Sequence, residues 1–253
     1  MKQLNVQNLK VQKGKDYADA VFFGDVHLGC IYSDTERAKK MLGYCLENNV
    51  YVFCMGDIIE AASRHSIGAG VYEQTSPQEQ LDEVTAMFGD LSKRGLILGW
   101  LQGNHEFRIF KETGIDVSKI ICRELKIPYL GFAGWNLWRV GEESYNVYTI
   151  HGASGSRFAW TKMKSVVDVA LYLNNADVVA MGHVHDLLIN SISRQGINKQ
   201  KKTVEFKKCH IIVTGHYLDF PGSYAQMKGL PPGKKGSPKI KLFAHKHDVH
   251  CSV

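Results

Sequence analysis

The run Asp177-Val178-Val179-Ala180-Met181-Gly182-His183-Val184-His185 decides how this chain is read. Its apolar part, closed by a glycine, reads as a short buried strand. The strand delivers two histidines in a His-x-His spacing. On an extended backbone, residues two apart project to the same side. His183 and His185 therefore reach one small volume together. Imidazole suits zinc, iron, manganese and other borderline metals. A His-x-His pair alone is weak evidence, so the rest of the chain has to decide.

The same pattern of strand followed by polar residue recurs outward from this stretch. Ala20-Val21-Phe22-Phe23 runs into Gly24-Asp25-Val26-His27. Tyr51-Val52-Phe53-Cys54-Met55 ends in Gly56-Asp57, and residues 96–101 run into Gly103-Asn104-His105-Glu106. Residues 146–150 end in His151-Gly152. Helical patterns lie between these strands. Ser33-Asp34-Thr35-Glu36 is a start signal, with Glu36 as capping-box partner of Ser33, and Met41, Leu42, Cys45 and Leu46 recur at helical spacing. Ser76-Pro77-Gln78-Glu79 opens a second helix with proline at its first position. Residues 117–125 and 158–173 continue the helical pattern. Strand-helix-strand units imply parallel strands.

The remaining segments read as β-structure and loops. Residues 61–75 are loop-like. Residues 128–132 and 136–140 look like two strands, followed by a turn at Gly141-Glu142-Glu143-Ser144. The alternation over 187–214 predicts hairpins with a basic turn at 198–202, and 240–253 predicts a last strand. No repeat or linker is visible. One domain over residues 1–253 is expected, with a basic, β-rich part at about 187–253. The expected architecture is α/β: a parallel-rich sheet and an antiparallel second sheet, with helices packed outside.

A length of 253 residues is enough for one full core. There is no run of about 18 apolar residues, so no membrane span is expected. Met1-Lys2-Gln3-Leu4-Asn5 has no apolar signal-peptide core. The six cysteines form no Cys-x-x-Cys pair. A reduced, cytoplasmic protein is the expectation. The net charge of +6 is unevenly spread. From residue 190 onward, 12 Lys or Arg face three acids, a balance of +9 that leaves −3 for the rest. A basic quarter on an acidic body points to an anionic partner.

Five strand ends thus carry Asp25 and His27; Asp57; Asn104 and His105; His151; and His183 and His185. In open α/β sheets, sites form beyond the carboxyl ends of strands. Each residue alone has an ordinary reading as cap, turn former or hydrogen-bonded side chain. Five such ends bearing only Asp, Asn and His do not share that reading.

The five blocks closely resemble those of the calcineurin-like metallophosphoesterase superfamily, over roughly residues 20–186. The resemblance implies a two-sheet β-sandwich flanked by helices, in four αββα layers. It implies that Asp25, His27, Asp57 and His185 hold one metal. Asp57, Asn104, His151 and His183 would hold a second, with Asp57 bridging. His105 would stand beside the metals as acid or phosphate contact, and with Asp57 it forms the expected catalytic pair. The physics agrees: two cations about 3.5–4 Å apart neutralise phosphoryl oxygens and hold a bridging hydroxide at neutral pH. Mixed O and N ligands suit manganese, with iron, zinc or nickel as alternatives, better than magnesium or calcium.

Departures from the subfamilies narrow the substrate. Protein phosphatases of the family read Gly-Asp-x-x-Asp-Arg and Arg-Gly-Asn-His-Glu; here Glu60, Ala61 and Gln102 stand instead. Lipid-precursor pyrophosphatases read Gly-Asn-Arg-Asp, against His105 and Glu106 here. The segment from Gly215-His216-Tyr217 to Ser223-Tyr224-Ala225 looks like the tail of DNA-repair-exonuclease-like phage and bacterial members. A phosphodiesterase or nuclease acting on nucleic acid is therefore expected. Hydrolysis of small phosphodiesters such as cyclic nucleotides is the alternative, ahead of phosphoprotein phosphatase activity or a non-catalytic metal module. Arg64, His65, Arg108 and Arg157 stand near metal blocks and are candidates for holding phosphate. His216 and Tyr217 follow a strand as the ligands do and could border the cleft. His245, His247, His250 and Cys251 resemble a metal cluster but sit in an alternating strand without a second ligand set. Trp135 and Trp138 read as core first and as base-stacking residues second.

Overall fold

The computed structural model describes residues 4–62, 75–152 and 158–253. Among these described residues, eleven strands form two sheets. They are β1 (Asn5–Leu9), β2 (Tyr17–Phe23), β3 (Tyr51–Cys54), β4 (Ile97–Trp100), β5 (Ala133–Val140), β6 (Glu143–Ile150), β7 (Val178–Met181), β8 (Leu187–Asn198), β9 (Thr203–Thr214), β10 (Lys239–Phe243) and β11 (Val249–Ser252). The main helices are α1 (Thr35–Asn48), α2 (Pro77–Lys93), α3 (Asn104–Thr113), α4 (Val117–Glu124) and α5 (Ala159–Leu171). One sheet runs β1-β5-β6-β7-β9-β8 and the other β11-β10-β2-β3-β4.

The sheets pack face to face through large rings. Phe22 of β2 and Phe53 of β3 meet Trp138 of β5 at 5.9 and 6.1 Å between centroids. Strand β7 shows why its run of four apolar residues has no polar gap. Val178 and Ala180 belong to the core between the sheets, while Val179 and Met181 pack under α5 with Val166 and Ala170. A strand covered on both faces is apolar throughout. Helices α1 and α2 cover the other sheet with Leu42, Val84 and Phe88. Fully burying each such side chain is worth about 1.5–3 kcal/mol. This gives the two-sheet sandwich flanked by helices that the resemblance implied, and it lines up the carboxyl ends of β2, β3, β4, β6 and β7.

Several local expectations are corrected. The second sheet is mixed, not antiparallel: β1 pairs with β5, β6 with β7 and β7 with β9 in parallel. The cap of α1 is Asp34, whose carboxylate accepts the Arg37 N–H at 3.2 Å, while Ser33 gives its hydroxyl to the Val26 carbonyl. Both residue types can cap, and the Ser33 hydroxyl is already taken. The capping box of Ser76 and Glu79 is present in full. Residues 128–132 form no strand; only Tyr129 bridges to Trp100, and β5 starts at Ala133. The terminal stretch is a hairpin of β10 and β11, not one strand. Residues 187–214 make a single hairpin.

The basic C-terminal residues divide between the two sheets, and many have partners. Lys235 bridges Asp34 and Asp219. Lys207 pairs with Glu205 and Lys246 with Asp248. Arg194 donates to the Ala170 and Leu173 carbonyls at the end of α5. No helix among the described residues is long and apolar enough to cross a membrane.

Candidate active site

The ends of β2, β3 and β7 leave their sheets through sharp turns. Asp25, His27, Asp57, His183 and His185 have φ between 48° and 67°, five of the nine non-glycine residues with left-handed backbone among those described. Such positions cost of order 1–3 kcal/mol each and persist only where the surroundings impose them. Two glycines have direct reasons. A Cβ on Gly103 would lie 2.1 Å from Asp57 Oδ1, and one on Gly56 would lie 2.7 Å from the Gly103 nitrogen. The turns can close on one another only without those side chains.

All seven expected ligand side chains converge. Three triads bring their ligand atoms within 4.8 Å of one another: Asp25, His27 and His185; His27, Asp57 and His105; Asp57, His151 and His183. Asp57 Oδ2 lies 3.2 Å from His151 Nε2, 3.9 Å from His105 Nε2 and 4.0 Å from His27 Nε2. It therefore stands between the two ends of the cluster. Asn104 joins through its Oδ1, 3.0 Å from His151 Nε2. Asp25 accepts the His183 backbone N–H and lies 3.3 Å from His185 Nε2.

The orientation of the imidazoles suits metal ligation. His151 gives Nδ1–H to the Met55 carbonyl at 2.8 Å, which leaves Nε2 aimed into the cluster. His27 turns Nδ1 to the Glu60 carboxylate at 2.9 Å and its Nε2 faces His185 Nε2 at 3.1 Å. Ligand histidines are commonly fixed in this way by a carbonyl or carboxylate on the far nitrogen. His183 Nδ1 is buried without a hydrogen-bond partner. Buried polar atoms are rarely left so.

The electrostatics point the same way. Burial pushes the Asp57 carboxyl up, but His151 and His105 outweigh it and hold it well below the usual range. Asp25 is likewise held low against burial, by His185 and His151. Burial lowers His27, and lowers His183 to about 4 with help from His151, so both are neutral donors at pH 7. His151 is the exception. Burial works against its charge, but Asp57 and Asp25 raise it to about 10. A proton kept on a 1% exposed ring holds positive charge where a divalent cation would supply it. The donor set, its orientation and its charge all fit such an ion.

Two residues do work that the sequence did not assign. Glu60 touches His27 Nδ1, His105 Nδ1 at 3.2 Å and Arg108 at 3.5 Å. Burial raises its pKa, yet hydrogen bonds from His105 and His27 bring it far below the usual carboxylate range. Glu106 accepts backbone N–H groups from Gly103, Asp57, Ile58 and Ile59. It ties the start of α3 to the Asp57 turn. Glu106 lies inside its sequence block, two residues after Asn104, and Glu60 stands three residues past Asp57; that spacing is the signal that could have found them.

Of the expected substrate contacts, Arg108 is beside the cluster: a guanidinium nitrogen lies 2.9 Å from His105 Nε2. His216 is buried and stacks on His185 at 5.3 Å and 18°, so it backs a candidate ligand rather than lining an open cleft. Tyr217 is buried with its hydroxyl on Ser237. Arg64, His65 and Arg157 lie outside the described residues. Trp138 is core. The C-terminal histidines do not converge: His247 pairs with Asp177 and Glu143, His245 approaches Glu142, and Cys251 meets His210.

Residues 20–219 match the family model described as calcineurin-like phosphoesterase, and this chain belongs to that family of divalent-metal phosphoesterases. No curated protein matches it. Among solved structures it is similar to Yfce, a phosphoesterase from E. coli, at 14% identity over 92% of this chain and 98% of that one, with a TM-score of 0.43. It is also similar to a metallophosphoesterase from Sphaerobacter thermophilus, at 12% identity over 93% and 88% of the two chains, with a TM-score of 0.37.

Proposed function

We propose that this protein is a two-metal phosphodiesterase whose substrate is nucleic acid. The observation that carries the reading is the position of Asp57, shared between a His27 side and a His151/His183 side of one buried cluster. Asp25, His27, Asp57 and His185 would hold one divalent ion, and Asp57, Asn104, His151 and His183 the other, manganese being the expected ion. When bound, such ions neutralise phosphoryl oxygens and bring the pKa of water towards neutrality.

The chain's own groups do the rest. Burial disfavours a charge on His105, but Asp57 and Glu60 raise its pKa above the ordinary value. It is therefore ready to give a proton to a leaving alkoxide. Arg108, held by Glu60, offers its remaining N–H donors to a phosphate oxygen. Glu60 keeps His27 and His105 in register. The nucleic-acid part of the reading rests on the +9 balance after residue 190, whose Lys199, Lys201 and Lys202 cluster at the tip of the β8–β9 hairpin.

A substrate panel tests it: single- and double-stranded DNA, RNA, cyclic nucleotides and a phosphopeptide, each with manganese-loaded protein. Cleavage of a polynucleotide at the highest kcat/KM is the expected result. Affinity should fall with salt by a log-log slope of about −0.7 to −0.9 per phosphate contact. Hydrolysis confined to cyclic nucleotides or the phosphopeptide would overturn the substrate class while leaving the metal centre standing.

A further inference from the structure

His27 and His151 are anchored through their far nitrogens, on Glu60 and on the Met55 carbonyl. His185 is held differently. Its Nε2 points inward, 3.3 Å from Asp25 Oδ1 and 3.1 Å from His27 Nε2. Its Nδ1 has no hydrogen-bond partner among the described residues. An imidazole turns easily about its Cβ–Cγ bond, because that torsion has broad wells. A ligand histidine is commonly held against this rotation through its second nitrogen. The backbone of His185 is also left-handed, at φ 48°. Its place is therefore imposed by its surroundings, ring and chain alike.

The group lying against the His185 ring is His216. The two rings stack at 5.3 Å between centroids and 18° between planes, within the range of offset-stacked pairs. His216 is only 6% exposed. Its own plane is fixed at Nδ1, which accepts the Leu218 N–H at 3.1 Å. Its chain is tied on both sides. The His216 carbonyl accepts the Gly236 N–H, and the Tyr217 N–H goes to the Asp25 carbonyl, both at 2.9 Å. His216 is thus a fixed flat surface at the same end of the cluster as Asp25 and His185.

A loop from far along the chain closes over this pair. A Cβ on Gly233 would overlap the His185 carbonyl oxygen and lie 2.8 Å from His216 Nε2. Only glycine lets the loop approach so closely. Asp186, the residue after His185, pins the loop in place. Its Oδ1 accepts the Lys234 N–H at 3.3 Å, and its Oδ2 accepts from the buried Lys162 of α5 at 3.2 Å.

We infer that His216 and Gly233 are positioning residues for His185. The stacked ring does for this candidate ligand what Glu60 and the Met55 carbonyl do for His27 and His151. Gly233 lets the loop hold the pair together. This rests on the two-metal reading and deepens it: the end formed by Asp25, His27 and His185 depends on His216, and the end formed by His151 and His183 does not.

The test is manganese titration, with free ion counted from its EPR signal, in a double-mutant cycle of His216→Ala and His185→Ala. His216→Ala should weaken one ion of the pair about 10- to 100-fold, the usual loss when a partner behind a metal ligand is removed, and leave the other ion as in the parent. In the His185→Ala background it should cost nothing further, because its effect passes through His185. Gly233→Ala should weaken the same ion. His216→Phe, which keeps a flat ring, should bind both ions nearly as the parent does. His216→Asn, which keeps an acceptor for the Leu218 N–H but no ring, should not. Additive losses in the cycle, or equal weakening of both ions by His216→Ala, would make His216 a general support of the fold and overturn the inference. Parental binding by His216→Ala would overturn it as well. A parent that takes up a single ion would contradict the two-metal reading, and the cycle would then decide the inference on that ion alone.

Discussion

Replacing Glu60 by Gln tests how the site is held together. The side chain keeps its shape and loses its charge. In the parent, one buried carboxylate accepts from His27 Nδ1 at 2.9 Å and stands 3.2 Å from His105 Nδ1, with Arg108 at 3.5 Å. A hydrogen bond to a charged partner contributes about 1.5–3 kcal/mol, against about 0.5–1.5 for a neutral one. Glutamine has one acceptor oxygen, so it can keep one neutral bond and must turn its NH2 towards the other ring. The net loss is about 1–3 kcal/mol, or roughly 5- to 150-fold, since about 1.4 kcal/mol is a factor of ten. Partners behind metal ligands lose about 10- to 100-fold in affinity or activity when changed, which agrees. The assay is manganese titration followed by kcat and KM on an activated phosphodiester. Weaker metal binding and lower kcat should appear together, because Glu60 touches both a candidate ligand, His27, and the proposed proton donor, His105. A Glu60→Gln variant with parental affinity and turnover would refute the reasoning.

Two further outcomes follow from single residues. His105→Ala should lower turnover about 10²–10⁴-fold while metal content stays near the parent's. Equal loss of both would make His105 a ligand. A substrate with an activated leaving group should suffer less, as it needs no proton. His247 should make stability depend on pH. Burial lowers its pKa, but Asp177 and Glu143 outweigh burial, so the folded value lies above the ordinary 6.5. The protonated form favours folding, so its stabilisation is complete below pH 6.5 and fades as pH rises through the raised folded value. The ring is half exposed, which limits the effect to under about 1 kcal/mol. Urea unfolding of His247→Gln on both sides of that window should show a flatter profile than the parent, and an unchanged profile would remove the claim.

The candidate ligands were legible because each closes an apolar strand and is bordered by glycine, a pattern that neither a cap nor a turn produces five times in order. Glu60 and Glu106 were not, because their partners are distant: Glu60 meets His105 and Arg108, and Glu106 meets the Asp57 turn, only once the strands align. Strand β1 was invisible for the same kind of reason. Its five residues are mostly polar, and its partner β5 lies some 130 residues away. Helix α3 was missed because its cap is glycine and its first residues were read as ligands alone. The basic quarter read as one patch in sequence, yet folding spends Lys235, Lys207 and Arg194 on local partners.

The most direct measurement is the metal content of protein loaded with excess manganese and freed of loose ions, compared between the parent and Asp57→Ala. Asp57 stands between both ends of the cluster, so two ions per chain are expected in the parent and one or none in the variant. A parent that binds a single ion, with Asp57→Ala retaining it in full, would contradict a shared carboxylate and with it the two-metal centre.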